Sequence, residues 1–229
     1  MGIRDSNGQG MATCYMACAS GVTSAPLNPA YRADEFEFYL SDLHAKALIV
    51  ERGSRSPAVD VARRLGVRLI ELVAGEAAGS FTLHDDSGAV VASAAVQGGF
   101  AQPDDVSMVL HTSGTTSRPK IVPLSQANLT APARNIRDTL RFTAQDCGLN
   151  IMPLFHSHGL IAGVLAPLAA GSQVFCTPGF NALKFFAWMD EARPSWYTAV
   201  PTMHQAIICL LYTSPSPRDR TRSRMPSSA

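Results

Sequence analysis

A chain of 229 residues that is 46% hydrophobic and 16% charged is long enough to bury a substantial core, as one large domain or two small ones. Its formal net charge of +1 offers no general attraction to nucleic acid or to an anionic membrane, so any anion binding has to be local, which favours a small-molecule site. No apolar run approaches the roughly eighteen residues of a membrane span, and the opening residues MGIRDSNGQG lack the apolar stretch of a secretion signal. A cytoplasmic protein is expected. Five scattered cysteines without a CxxC pair argue against a disulfide framework or a zinc knuckle and are expected to be buried free thiols.

Taken along the chain, apolar runs and helical patterns alternate, the form expected of strands joined by crossover helices in an α/β fold with largely parallel sheets. A helix is expected over MATCYMACAS, followed by the turn-rich APLNPAY and a second helix with Asp34 as N-cap running through EFEFYLSDLH. Strand KALIV, a short helix at PAVDVARRLG and strand VRLIELV come next, and the Gly-, Ser- and Ala-rich residues 75–100 are placed in hairpins and loops. Strand VSMVLHT runs into HTSGTTSRPK, and IVPL leaves that loop as another strand before Ser125 caps a helix through QANLTAPARNIRDTL. The second half repeats the alternation: strand GLNIMPLF, helix GLIAGVLAPLAAG, strand SQVFCTP, helix ALKFFAWMDEA, strand SWYTAV and a helical pattern at MHQAIICLL. Phe185, Phe186 and Trp188 form an aromatic stripe expected to pack as core.

Three segments follow the carboxyl ends of these strands: the loop at Thr112, FHSHG, and VPTMHQ. Open α/β sheets build their ligand crevices there, so one shared site is expected. The loop HTSGTTSRPK crowds Ser and Thr hydroxyls around Gly114 and ends on Lys120, a composition suited to an anion such as phosphate. It is not a Walker A loop, because Pro119 stands where the second glycine belongs and Ile121 where the magnesium-binding hydroxyl belongs. Composition alone leaves a polar surface turn open. The pair His156 and His158 has the spacing with which some metal-dependent hydrolases begin a metal site, two imidazoles at alternate strand positions, but no carboxylate-rich ligand set accompanies it. Packed or solvated histidines are the plain alternative. The final YTSPSPRDRTRSRMPSSA has no large aliphatic side chain and cannot pack; residues 212–229 are expected to be a disordered basic tail of foreign or frame-shifted origin.

The order of the residues in HTSGTTSRPKIVPLSQANL resembles the phosphate-loop signature of the adenylate-forming (AMP-binding) superfamily of acyl-CoA ligases, luciferases and peptide-synthetase adenylation domains. MPLFHSHGL is similar to that family's second core motif, and PLNPAYRADEFEFYLSDL to the segment upstream of the loop. Ser117, the doubled histidine and SWYTAVPTMHQ resemble oxalate-CoA ligases most, and the resemblance spans Ser6 to Ile208.

What the resemblance implies is specific. Residues 1–211 would be a partial adenylation domain, and the function ATP-dependent acid-CoA ligation through an acyl-adenylate, with ATP, Mg2+ and coenzyme A as cofactors and a small carboxylic acid, oxalate first, as substrate. Thr112, Ser113, Gly114, Thr115, Thr116 and Lys120 would hold the ATP phosphates. His156 and Lys120 would be the catalytic pair, with His156, His158 and His204 around the acid. Ile121 departs from the family glycine at that position, which is expected to stiffen the loop and displace Lys120. The family's ribose-binding aspartate, adenine-contacting segment and mobile C-terminal domain have no counterpart here, so the chain alone is expected to be inactive, a nucleotide-binding fragment at most.

Overall fold

The computed structural model describes residues 8–91, 99–112 and 119–213. Among these described residues three small sheets carry the strands. In the first, β1 (Ala47–Glu51) and β2 (Arg68–Ala74) are parallel and joined by α3 (Pro57–Arg64), while β3 (Phe81–His84) returns antiparallel to β2. The short crossover helix is well specified: the Ser56 hydroxyl accepts the Ala58 N–H, Pro57 opens the helix where a missing N–H costs nothing, and Arg63 and Arg64 sit in its last turn. α1 (Gln9–Ala19) packs on one face of this sheet, Cys14 against Ile49, Ile70 and Leu72, and α2 (Ala33–Asp42) on the other. Phe36 and Leu40 of α2 bury against Leu48, Val50 and Val61.

The second sheet is the pair β4 (Val106–His111) and β5 (Ile121–Ser125), antiparallel, with the Ser/Thr/Gly loop between them as expected. Pro123 is tolerated in β5 because, among the described residues, that strand is an edge with β4 as its one partner. Ser125 then caps α4 (Gln126–Leu140), its hydroxyl accepting from the Asn128 N–H while Asn128 Oδ1 accepts the Ser125 N–H. The third sheet places β6 (Cys147–Asn150) between β7 (Gln173–Cys176) and β8 (Trp196–Thr198), all parallel. Between β6 and β7 the chain forms a π-helix, His158–Leu165, that continues as the short α5 (Ala166–Leu168); α6 (Ala182–Ala192) and α7 (Pro201–Thr213) complete the chain's described residues.

Several expectations need correction. Asp34 is not the cap of α2: Arg32 holds that position, and its N–H is accepted by the Glu35 carboxylate at 2.9 Å, which places Asp34 inside the first turn. The strand expected over GLNIMPLF starts one residue earlier, at Cys147, and stops at Asn150, the third residue of that run, because residues 151–157 break away from the sheet ahead of the π-helix. The α/β class itself is the one expected, with the parallel pairs β1–β2, β6–β7 and β6–β8 beside the antiparallel β2–β3 and β4–β5. Of the five cysteines Cys14 alone is buried; Cys18, Cys147 and Cys176 are half-buried, and Cys209, on α7, is exposed. The aromatic stripe packs through Phe185, which lies against Leu149, Ile151 and Ile207, whereas Phe186 is exposed. The tail expectation falls on residues outside those described, apart from the end of α7. No helix among the described residues is long and apolar enough to cross a membrane.

Candidate functional site

The site is assembled around the carboxyl end of β4. Ser24 is bridged to this strand: its N–H donates to the Ser107 carbonyl at 2.9 Å, and its carbonyl accepts the Val109 N–H at 2.8 Å. Those bonds lay the following segment, Pro26 to Tyr31, alongside the strand's end. Asn28 folds it into a turn, accepting the Ala30 N–H on Oδ1 and the Tyr31 N–H on its carbonyl.

From the other side α2 presents Tyr39 and Asp42, three residues apart and therefore on one helix face. Both meet His111, the last residue of β4. Its Nε2 lies 3.1 Å from Asp42 Oδ2, and its ring stands edge-on to Tyr39 with centroids 4.6 Å apart. Tyr39 in turn stacks on Tyr31 at 4.8 Å. The Tyr31 phenol is held neutral, its pKa pushed well above the ordinary value by burial first and by Tyr39 and Glu35 beside it. The His111 side chain is 6% exposed, so it is a buried anchor for the root of the loop. Its signal in the sequence is the polar residue that ends the apolar run Met108–Leu110.

Thr112 is the first residue past the strand. Its N–H donates to the Lys120 carbonyl at 3.0 Å and its hydroxyl accepts the Lys120 N–H at 3.3 Å, which closes the base of the loop. Both side chains are exposed, and the Lys120 ammonium has no ion-pair partner among the described residues. Ser113, Gly114, Thr115 and Thr116 lie outside the described residues. Ile121 pairs with His111 in the strand register, carries no left-handed backbone angle and points outward, 44% exposed. The Thr112–Lys120 clamp beside it is closed. Ile121→Gly is therefore expected to weaken the chain by about 0.5–1 kcal/mol through strand entropy, measured by chemical denaturation; a gain in stability would show that the isoleucine strains the strand.

The second wall comes from FHSHG. Phe155, His156 and Ser157 face Thr112, and with Asn28, Tyr31, Tyr39, His111 and Asn128 they line a cleft of about 600 Å³. His156 reaches the cleft surface, yet the protein around it removes enough water to hold its imidazole pKa below the ordinary value, so it is neutral at pH 7 and can donate or accept one hydrogen bond there. His158 diverges. Its Nε2 is 2.8 Å from the Thr198 hydroxyl at the end of β8. Residues 156–158 are not in a strand, so the alternate-position argument that would have put both imidazoles on one face does not apply. Among the described residues no group of three or more His, Cys, Asp or Glu side chains is placed to hold a metal ion. His204, on α7, bonds through Nδ1 to the Tyr197 hydroxyl at 3.1 Å. Thr112 and His156 thus share one cleft, while His158 and His204 stand at the neighbouring β8 end; Lys120 is at the loop base.

The end of β4 thus leads into the hydroxyl-rich segment, whose base is closed by Thr112 and Lys120, and His156 stands on the facing wall of the cleft. The chain belongs to the AMP-binding enzyme family, whose family model matches residues 2–227. It is 43% identical over 190 residues to an oxalate-CoA ligase of Arabidopsis thaliana and 32% identical over 216 residues to an oxalate-CoA ligase of Saccharomyces cerevisiae, covering 82% and 86% of this chain. The chain spans 37% and 40% of those relatives' lengths. Its fold superposes on the crystal structure of ATP-bound MatB from Rhodopseudomonas palustris with a TM-score of 0.71 and 26% identity, over 95% of this chain and 41% of that one. The adenylate-forming fold expected from the motif resemblance is therefore the fold observed.

Proposed function

We propose that this chain forms the phosphate- and acid-binding part of an ATP-dependent acid-CoA ligase whose substrate is oxalate. The observation that carries the reading is the shared cleft of Thr112 and His156, which brings the root of the phosphate loop and a neutral imidazole to one opening. Similarity to two oxalate-CoA ligases supports the choice of acid.

In this reading an acid carboxylate attacks the α-phosphorus of ATP, pyrophosphate leaves with the electron pair of the broken P–O bond, and the resulting acyl-adenylate is opened by the coenzyme A thiol with loss of AMP. The protein's contribution is position and charge. Thr112 and the loop residues Ser113, Gly114, Thr115 and Thr116 donate to the departing phosphates, and Lys120 offsets their growing charge. A magnesium ion, when bound to the phosphates, supplies further neutralisation. His156 donates a hydrogen bond to the attacking carboxylate and fixes its approach. The second carboxylate of oxalate is met on the β8 side by His158 and His204.

Exchange of labelled pyrophosphate into ATP tests the reading. In the complete enzyme that carries this segment, oxalate is expected to drive exchange at least tenfold better than acetate, because donors built for a dianion are left unpaired by a monocarboxylate. The 229-residue chain alone is expected to bind ATP and to give no exchange. Faster exchange with acetate or a medium-chain acid would overturn the choice of oxalate, and exchange by the chain alone would overturn its partial character.

A further inference from the structure

Asn150 ends β6 at the point where the chain leaves the sheet for the segment that carries both histidines. It is 3% exposed, and a buried amide is costly unless its donors and acceptor are matched. The matches are made to two backbone groups seven residues apart. Its Oδ1 accepts the Met152 N–H at 3.1 Å, and its Nδ2 donates to the Gly159 carbonyl at 3.0 Å. Its own carbonyl accepts both the N–H and the hydroxyl of Thr177, at 3.1 and 3.2 Å, in the segment that follows β7. One residue therefore ties the sheet to the beginning and end of the intervening turn.

The helix that follows is shaped to receive this amide. A Cβ added at Gly163 would lie 2.5 Å from Asn150 Nδ2 and 2.6 Å from its Cγ, and one added at Gly159 would collide with the Pro153 carbonyl. Both glycines keep the helix close enough for the amide to reach across. The helix itself takes the wide π register over His158–Leu165, a form concentrated at functional sites, just ahead of Pro167, which has no N–H to give to the preceding turn.

The geometry points to Asn150 as the positioning residue for the two histidines: its amide closes residues 152–159 into a fixed turn, with Gly163 making the space, and so sets His156 at the cleft and His158 against Thr198. Their importance to acid binding rests on the function proposed above. Their placement does not, and it can be measured without turnover.

Histidine-ring NMR on the 229-residue chain provides the test, with resonances assigned through His156→Gln and His158→Gln. Asn150→Ser and Gly163→Ala are each expected to raise the His156 titration midpoint towards the ordinary value, as the loosened turn admits water, and to shift the His158 ring signals. Leu149→Ala, which empties a buried site one residue away, is expected to lower the melting temperature while leaving both rings where they were. In the unaltered chain the Met152 amide should exchange as slowly as the amides of β6, and Asn150→Ser should speed it about tenfold. Rings unmoved in both variants, or moved equally by Leu149→Ala, would overturn the assignment. Should the variants not fold, the unaltered chain decides: slow Met152 exchange upholds the closed turn and exchange at the rate of exposed loop amides overturns it. Shifted rings in an enzyme indifferent to oxalate would sink the substrate reading alone.

Discussion

Replacing Lys120 by methionine is expected to lower the turnover number of the complete ligase by a factor of about 10² to 10³, the usual consequence of removing one pre-placed donor from a charge-developing transition state. Three observations lead there. The Thr112–Lys120 backbone clamp holds the lysine at the base of the loop, its side chain is exposed, and its ammonium forms no ion pair among the described residues. A lysine with a structural task would be engaged by a carboxylate. Methionine keeps the length and loses the charge, so stability should move by less than about 0.5 kcal/mol, as for other exposed positions. Pyrophosphate exchange and a denaturation curve on the same variant separate the two effects. A folded variant with undiminished exchange would remove Lys120 from the chemistry, whereas a large loss of stability would make it a structural residue.

Much of this architecture was legible because the signals were local. Ser56 with Pro57, and Ser125 with Asn128, announce helix starts through caps that involve only near neighbours, and the apolar cores of β1 and β2 are short aliphatic runs. The strand expected over GLNIMPLF ends early for a local reason: Asn150 turns its amide onto Met152, two residues on, and Gly159, nine on, and Pro153 has no N–H to give to a ladder.

The role of His111 is set at much longer range. Its partners Asp42 and Tyr39 are about seventy residues upstream, on a helix whose packing against the β4 end follows from tertiary structure. The motif residues themselves were recognisable by type and order, but their distribution was not: the structure sorts one presumed histidine cluster into His156 at the cleft, His158 on Thr198 and His204 on Tyr197. Residues two apart meet different neighbours because the segment between β6 and the π-helix is neither strand nor α-helix, so neither period applies.

That sorting gives the second large effect its form. His158→Ala in the complete enzyme is expected to raise the Michaelis constant for oxalate about ten- to a hundredfold, the equivalent of one charged hydrogen bond of about 1.5–3 kcal/mol, with little change in that for ATP. The size follows from what alanine leaves behind, a second carboxylate desolvated in the site without its donor. The geometry also offers a rival explanation, since His158 Nε2 and the Thr198 hydroxyl at 2.8 Å could serve only to tie the π-helix to β8. Thr198→Val decides between them, because it breaks the tie and leaves the imidazole in place. If His158 contacts the acid, Thr198→Val should change the oxalate constant by no more than about threefold, as the ring keeps its Nδ1 and gains freedom at Nε2. If both variants raise it equally, the tie is what matters and His158 acts through the helix. If His158→Ala leaves the oxalate constant unchanged, the second carboxylate is bound elsewhere and the β8 end of the sheet is not part of the acid site.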